Sequence, residues 1–347
     1  SYSGDQGGNV YVRGLGTSRP GSEIKTYLDG IPVYMGVWNH PLIDLLPLNG
    51  VQAVDILKGP QPQSSGNNLA SINLQTKRAT QSGVSTEASV SMGSFGTKTL
   101  HATAMGKGEN IEAMVSAGHV DASGDRPNSD GSLSNAMGRI GLKINDSWSA
   151  ALNFLTVNNQ VGDPGDNRVA TSSTPIGSYP FSNGVGRNSS SINMVAFSLS
   201  HRHGDFNGEL QIFDSQGKND LTNDANWGTF KSAFKTTGFK WKEEFSPWTN
   251  GHALVALDQE SITGTLSGPH VGSAVGTPFS FGMAGTAEVP TFTLSSGYVG
   301  VNHTFQVSKN WAIQPSAGVR SYTSNHYASK TSPHIGMILK SDEMEIY

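Results

Sequence analysis

Four short stretches near the N-terminus decide how this chain folds: VYVRGLG at residues 10–16, TYLDGIPV at 26–33, VQAVDILKGP at 51–60 and SSGNNLASINLQTK at 64–77. Each combines a few β-branched, leucine or tyrosine residues with at least one glycine. Asp29-Gly30 favours a tight hairpin turn because both residue types tolerate positive φ. Ile72 and Leu74 alternate with polar residues, as expected for a short strand. The residues alone therefore predict a small domain of strands joined by glycine turns.

The order of these stretches resembles the plug domain of TonB-dependent outer-membrane receptors. That family shows an Arg-Gly strand end, a DG hairpin, an apolar strand ending in a basic residue plus Gly-Pro, and a Gly before a strand closing in Thr-Lys. The matching residues here are Arg13-Gly14, 29–33, 57–60, Gly66 and 72–77. Three features depart from the pattern: Lys58 stands where the family often has Arg, Ala70-Ser71 replaces Gly-Gly, and Pro62 is unusual. The resemblance implies a mixed α/β plug domain, which we expect to cover residues 1–80.

Composition narrows the remaining classes. The chain has 347 residues, 42 Gly, no Cys and a net charge of −4. The chain has no excess of positive charge that would attract nucleic acid. Without Cys it has no disulfides or thiolate metal sites. No apolar run is long enough for a transmembrane helix. A hydrophobic content of 35% is low for one large water-soluble core, but it suits a β-barrel, which needs apolar residues on one face of each strand.

From Val84 onward the sequence alternates between apolar and small polar residues over strands of about ten residues, as in a membrane barrel. The predicted lipid-facing side chains include Ile140, Leu142, Val301 and Phe305. The predicted lumen-facing side chains include Arg139, Lys143 and Gln306. Counting predicts about twelve strands and the start of another at residues 344–347.

The connections between these strands differ in length. Short ones are expected at residues 107–110, 145–148, 203–206, 246–251, 309–310 and 341–343. Long ones are expected at 121–136, 158–190, 217–231, 261–295 and 323–332. Outer-membrane barrels place short turns in the periplasm and long loops outside. Aromatic residues beside the short turns predict a girdle at the periplasmic interface, with ordinary strand-end aromatics as the alternative: Trp148, Phe245, Trp248 and Trp311.

The predicted fold is therefore membrane all-β, with a large antiparallel transmembrane β-barrel from residue 84 to 347 around the N-terminal plug. Plugged outer-membrane transporters have about 22 strands, so we expect about half of the barrel in this chain and its C-terminal part missing. We also expect the N-terminal part of the plug to be missing, including the segment that engages the energy-coupling protein. The chain starts without a signal peptide, so its N-terminus is expected to be processed or missing.

No catalytic constellation is recognisable. The sequence has no G-x-S-x-G, no H-E-x-x-H and no P-loop, so we predict neither an enzyme nor a cofactor. The histidines show no recurring metal-ligand spacing and are predicted to lie at the surface. A bare copper site formed by His270 and Met283 is a minor alternative.

The resemblance implies a ligand site at the outward tips of the plug. One tip is residues 15–22, which contain Ser18 and Arg19. The other is residues 34–40, whose candidate side chains are Tyr34, Trp38, Asn39 and His40. Aromatic faces beside a ring nitrogen suit a metal chelate or an aromatic ligand. The alternative is that Tyr34 and Trp38 pack the plug against the barrel.

Charged residues are also expected between plug and barrel. Arg13 is predicted to lie there, paired with a lumen-facing carboxylate of Glu87, Glu112 or Glu209 and joined by Lys58. A charge-paired contact suits a plug that stays seated yet is pulled loose, because hydration weakens it. The alternative is that Arg13 contacts the ligand.

The expected function is TonB-dependent uptake of a scarce nutrient across the bacterial outer membrane. The resemblance implies a ferric siderophore or other metal chelate as ligand, and as partners a TonB-type energy-coupling protein and outer-membrane lipid, but no nucleic acid. Cobalamin, a metal ion or an oligosaccharide are alternative ligands. A secreted soluble all-β protein, either glycan-binding or a hydrolase, is the alternative of another class, and a passive porin is disfavoured because it needs no plug.

Overall fold

The computed structural model describes residues 11–12, 15–16, 24–38, 40–42, 45–58, 66, 68, 70–164, 185–224, 228–269, 284–341 and 345–346. Strands make up the regular secondary structure of these residues. In this part of the chain no helix is both long and apolar enough to cross a membrane.

The N-terminal part contains eight short strands. Their bounds are β1 (Tyr11–Val12), β2 (Leu15–Gly16), β3 (Ile24–Leu28), β4 (Ile31–Pro32), β5 (Tyr34–Met35), β6 (His40–Pro41), β7 (Val51–Lys58) and β8 (Ala70–Thr76). Four of them form a sheet in the order β4-β3-β8-β7, while β1-β2 and β5-β6 form separate pairs. In the four-stranded sheet β3 and β8 run parallel and the other neighbours antiparallel.

The predicted hairpin at Asp29-Gly30 is confirmed. Asp29 has φ 49° and Gly30 has φ 82°, the left-handed conformations that a two-residue β-turn between twisted strands requires. The Asp29 carboxylate accepts hydrogen bonds from Thr76 N at 3.1 Å and Thr76 Oγ1 at 2.7 Å. Gly30 N donates to Asn73 Oδ1 at 2.9 Å. These bonds fasten the turn to β8.

A second, larger sheet starts at Gly83. Its strands are β9 (Gly83–Met92), β10 (Lys98–Lys107), β11 (Ile111–Ala122), β12 (Gly131–Lys143), β13 (Trp148–Asp163), β14 (Gly186–His203), β15 (Phe206–Asp224), β16 (Gly228–Phe245), β17 (Gly251–Gly268), β18 (Gly285–His303), β19 (Phe305–Ser308), β20 (Trp311–Ser324), β21 (Lys330–Ser341) and β22 (Glu345–Ile346). They form one antiparallel sheet of 14 strands in chain order, with β19 continuing β18 beside β20. The predicted twelve strands and the start of another are confirmed.

The long strands depart from the prediction. Strands β13 to β18 contain 16 to 19 residues instead of about ten. The predicted long loop at residues 217–231 is wrong, because β15 runs to Asp224 and β16 begins at Gly228. The outer face of these strands is polar there, so the alternation disappears although backbone pairing continues as far as Leu221 and Phe230. The predicted loop at 121–136 is narrowed in the same way to residues 123–130.

The concave face of the large sheet packs on the plug. One apolar cluster joins plug residues Leu28, Ile31 and Val33 to Met137 and Ile192 of the sheet. All five are at most 2% exposed, and burying each such side chain contributes about 1.5–3 kcal/mol. The core of the molecule therefore lies between plug and wall.

The convex face divides into two zones. Near the short turns it exposes large apolar side chains, among them Ile140 (50%), Leu142 (47%), Val301 (44%) and Phe305 (53%). Farther from the short turns, polar pairs link neighbouring strands on the same face: Thr156–Asn193, Asp214–Lys235, Gln259–Ser295, Ser261–Thr293 and Ser321–Thr331. We call the first zone the apolar band and the second the polar collar. Together they give the sheet the outer surface of a membrane barrel that extends beyond the hydrocarbon layer.

Candidate ligand-binding site

Residues 29–38 of the plug lie against the inner wall formed by strands β15 to β17 and run from its short-turn end toward its long-loop end. At the short-turn end, two wall side chains hold the Asp29-Gly30 turn. Gln211 Nε2 donates to Asp29 O at 3.0 Å, and Lys240 Nζ donates to Gly30 O at 2.9 Å. Lys240 also lies over the ring of Tyr27, 5.2 Å from its centroid.

The middle of this segment touches the wall at Tyr34 and Gly36. Tyr34 Oη donates to Glu260 Oε2 at 2.8 Å, and its side chain is only 7% exposed. A Cβ at Gly36 would lie 2.5 Å from Ile262 Cγ2, so only glycine allows this close approach. Burial first, and then the Glu260 carboxylate, raises the pKa of Tyr34 well above its usual value. The hydroxyl therefore stays protonated and available as a donor.

The upper end of the segment reaches Trp38. Its ring lies 5.7 Å from the ring of Phe230, at an interplanar angle of 54°. Phe230, Leu266 and Ala287 form a small buried cluster against which the partly buried Trp38 packs. Phe230 stands near the start of β16, whereas Lys240 stands near its end, roughly 30 Å away along the strand. Trp38 therefore lies toward the long-loop end of the wall.

The predicted ligand residues are only partly brought together. The Tyr34 side chain packs against the wall, which agrees with the alternative that it joins plug to barrel. The Trp38 side chain is only partly buried. The backbone of His40 pairs with Met35 in the β5-β6 hairpin. Ser18, Arg19, Asn39 and the side chain of His40 lie outside the described part of the structure. A ligand role for this set stays a prediction.

The structure places the residues predicted to join plug and barrel in different surroundings from one another. Glu87 of β9 pairs with Lys77, which follows β8, at 2.7 Å. Glu112 pairs within the wall with Arg139, at 3.3 Å between Oε1 and Nε. Lys58 is exposed on β7, and Arg13 lies outside the described residues.

Sequence reasoning missed the wall residues that hold the plug: Gln211, Lys240 and Glu260. Each is an inward-facing polar residue of a barrel strand. Alternation shows that such residues face inward, but it does not show which of them meets the plug. Asn49 was also missed, and its Nδ2 donates to Ser116 Oγ at 2.8 Å.

Metal ligands do not cluster in the described ranges, where no group of three or more His, Cys, Asp or Glu side chains could hold an ion. His270 and Met283, the predicted copper pair, lie outside these ranges. The site as described can therefore contribute aromatic surface and hydrogen bonds.

Comparison with known proteins supports this architecture. Residues 1–71 match the family model of the TonB-dependent receptor plug domain. The chain is similar to the structure of P. aeruginosa FpvA bound to heterologous pyoverdines, with 12% identity and a TM-score of 0.73 over 99% of this chain and 51% of that one. It is also similar to the ferric-catecholate import receptor Fiu from E. coli K12, with 13% identity and a TM-score of 0.63 over 95% and 60%.

A third similar structure is the copper transporter OprC, with 11% identity and a TM-score of 0.70 over 97% of this chain and 54% of that one. The chain spans about half to three fifths of the length of these three proteins. The chain therefore contains a segment that matches the plug domain of TonB-dependent receptors, joined to a β-sheet whose fold is similar to that of these three proteins.

Proposed function

We propose that this protein takes up a metal chelate, most specifically a ferric siderophore, across the bacterial outer membrane. The observation that carries the proposal is the plug segment 29–38, which is fastened to the wall at its lower end and presents Trp38 toward the long-loop end. The match of residues 1–71 to the receptor plug domain supports the same function. Two of the similar structures are named for pyoverdine binding and ferric-catecholate import.

The ligand is assigned to the outer tips of the plug. Trp38 supplies a flat apolar surface there, and we assign Ser18, Arg19, Asn39 and His40 to the same vestibule as candidate polar contacts. Tyr34 has a different role in this proposal, because its hydroxyl already donates to Glu260. It positions the segment that carries Trp38.

Uptake requires no covalent chemistry from the protein. An energy-coupling protein of the TonB type pulls on the plug, which we place at residues 1–80, and moves it relative to the barrel at 84–347. The polar contacts at Gly30 and Tyr34 then break, and water replaces each partner. Hydrogen bonds to charged groups, as at Lys240 and Glu260, have a net free energy of about 1.5–3 kcal/mol each when they are exchanged with water, so a modest force separates them one after another.

The test is binding and uptake of iron-55 chelates by cells that express the protein. Hydroxamate, catecholate and pyoverdine-type chelates and free copper are offered separately. The proposal expects saturable binding of one chelate class and uptake that stops when the coupling protein is deleted. Binding of copper alone, or uptake that continues without the coupling protein, would contradict it.

A further inference from the structure

A cavity lies below the Asp29-Gly30 turn, between the plug and the inner wall. Its volume is about 680 Å³, and strands β7 and β8 of the plug and β10 to β17 of the wall line it. This volume falls within the range of roughly 300–1,000 Å³ that small-molecule sites occupy. The cavity includes residues 107–112 at a short turn, so it lies at the periplasmic end of the barrel.

The lining of the cavity combines charged and amide side chains with apolar ones such as Leu57 and Trp241. Asp55 and Arg78 contribute charges from the plug side, and Glu112, Arg139 and Lys242 contribute charges from the wall. Amide and hydroxyl groups lie between them. Groups of both charge signs lie beside apolar surface, so the cavity suits a ligand that has hydrogen-bond donors and acceptors as well as apolar parts, rather than a simple anion.

The Asp29-Gly30 turn forms part of the same lining. All higher contacts of the segment, from Tyr34 to Trp38, lie farther toward the long-loop end of β16 and β17. The turn therefore stands between the outer contact surface and the cavity. A ligand that passes from Trp38 along this wall reaches the cavity only after the turn has moved.

The attachment of the turn to the wall is weaker than its attachment to the plug. The Asp29 carboxylate and Gly30 N are bonded to β8, so the turn moves as part of the plug sheet. On the wall side only neutral carbonyl oxygens accept the bonds from Gln211 and Lys240. No carboxylate among the described residues lies within 4.0 Å of Lys240 Nζ, and Asp258 nearby is paired with Arg320. The Lys240 ammonium is largely buried, so it regains hydration when the turn moves, which offsets the loss of its bond to a neutral carbonyl.

We propose that the periplasmic-end cavity is a second ligand compartment and that the Asp29-Gly30 turn, held by Lys240 and Gln211, is the gate that closes it from outside. The compartment takes a chelate whose periphery carries carbonyl, hydroxyl and amide groups beside apolar parts. This inference rests on the proposed function for the identity of the ligand, but the gate itself is defined by the contacts of the turn.

The gate is tested by cysteine labelling, for which the absence of native Cys leaves no background. Ser200→Cys places one thiol in the cavity lining. A membrane-impermeant sulfonated maleimide is added outside intact cells that lack general porins. We expect slow labelling in this parent and labelling roughly tenfold faster when Lys240→Met is added, because loss of a charged hydrogen bond shifts an opening equilibrium by about that factor.

The matched control is Lys235→Met, which removes a lysine from the convex face of the same strand, where it pairs with Asp214 at 2.9 Å. It should leave the labelling rate unchanged, and Lys240→Arg should restore the parent rate. Equal labelling of the parent and a folded Lys240→Met variant would overturn the gate, as would rapid labelling of the parent. If Lys240→Met fails to assemble, Gln211→Met takes its place: faster labelling than in the parent supports the gate, and equal labelling overturns it.

The experiment uses no chelate, so it separates the two proposals. A labelling rate that responds to Lys240 while no chelate binds to the cells would retain the gate and refute the proposed function. Chelate binding with a labelling rate that ignores both Lys240 and Gln211 would refute the gate alone.

Discussion

The hydrogen bond between Tyr34 and Glu260 fixes the middle of the plug segment to the barrel wall. Tyr34→Phe removes the donor and leaves the Glu260 carboxylate without it. We expect the variant to lose about 1–3 kcal/mol of stability, measured as a lower melting temperature of the folded protein. Tyr327→Phe is the control, since that tyrosine is 73% exposed. Equal losses in the two variants would show that the Tyr34 hydroxyl does not hold the plug.

The same tyrosine gives stability a pH dependence. Burial and the Glu260 carboxylate raise the pKa of Tyr34 in the folded state, whereas an unfolded tyrosine titrates near pH 10, so the folded state holds the proton more tightly. Its contribution is complete below about pH 10 and is lost as the pH rises through the folded pKa. The free energy of unfolding, measured with urea between about pH 8 and 11, should decline as the pH rises, and the decline should be smaller in Tyr34→Phe. Tyr27, whose pKa burial also raises, maintains part of the decline, but identical profiles would contradict the assignment.

Among the elements, the loop between β11 and β12 is fastened to the start of β14. Arg187 donates from Nη1 and Nη2 to the two carboxylate oxygens of Asp130, at 3.1 and 2.7 Å. It also donates to Asn128 Oδ1 at 3.2 Å. This pairing holds residues 123–130 against the base of the connection between β13 and β14.

Removing this pairing should free the loop. Asp130→Asn is expected to raise amide hydrogen exchange in residues 123–130 roughly two- to fivefold, the effect of losing an exposed ion pair of about 0.5–1 kcal/mol. The Arg187 hydrogen bond lowers the pKa of Asp130, so the contact persists above about pH 4 and is lost as the pH falls through the lowered value. Asp125→Asn, an exposed carboxyl in the same loop, serves as the control. Unchanged exchange in Asp130→Asn would mean that the pair holds nothing.

The strands were predictable where the two faces differ in polarity. Ile140 and Leu142 alternate with Arg139, and the structure places them on opposite faces. Residues 217–231 were not predictable as strand, because Lys218, Asp220 and Lys231 make the outer face polar, so that it no longer contrasts with the inner face. The site was predictable only as far as the motif around Asp29-Gly30 and the aromatic residues after it. The partners Gln211, Lys240 and Glu260 depend on how the plug sits against the wall, which no local pattern encodes.

For the whole molecule, the boundary between apolar band and polar collar places the outer edge of the hydrocarbon layer. Spin labels at Ile140, Leu142, Val301 and Phe305 should be accessible to oxygen dissolved in lipid. Labels at Asn193 and Asp214 of the collar should be accessible to a water-soluble nickel reagent, because charged side chains such as the Asp214–Lys235 pair are costly in hydrocarbon. A label at Arg139, which lines the cavity on the opposite face of the wall, should be inaccessible to oxygen dissolved in lipid. Equal accessibility at band and collar positions would contradict the membrane placement.

The central claim is that two residues of the plug segment have different roles: Trp38 contacts the ligand, and Tyr34 holds the segment against the wall. The most direct measurement is the affinity of Trp38→Ala, Trp38→Ala with His40→Ala, and Tyr34→Phe for the bound chelate. We predict that both Trp38 variants bind the chelate at least roughly tenfold more weakly, because an aromatic contact buried by a ligand contributes about 2 kcal/mol. In Tyr34→Phe the affinity should change by less than about threefold. Unchanged affinity in a folded Trp38→Ala, His40→Ala variant would contradict the account and move the site to the outer loops.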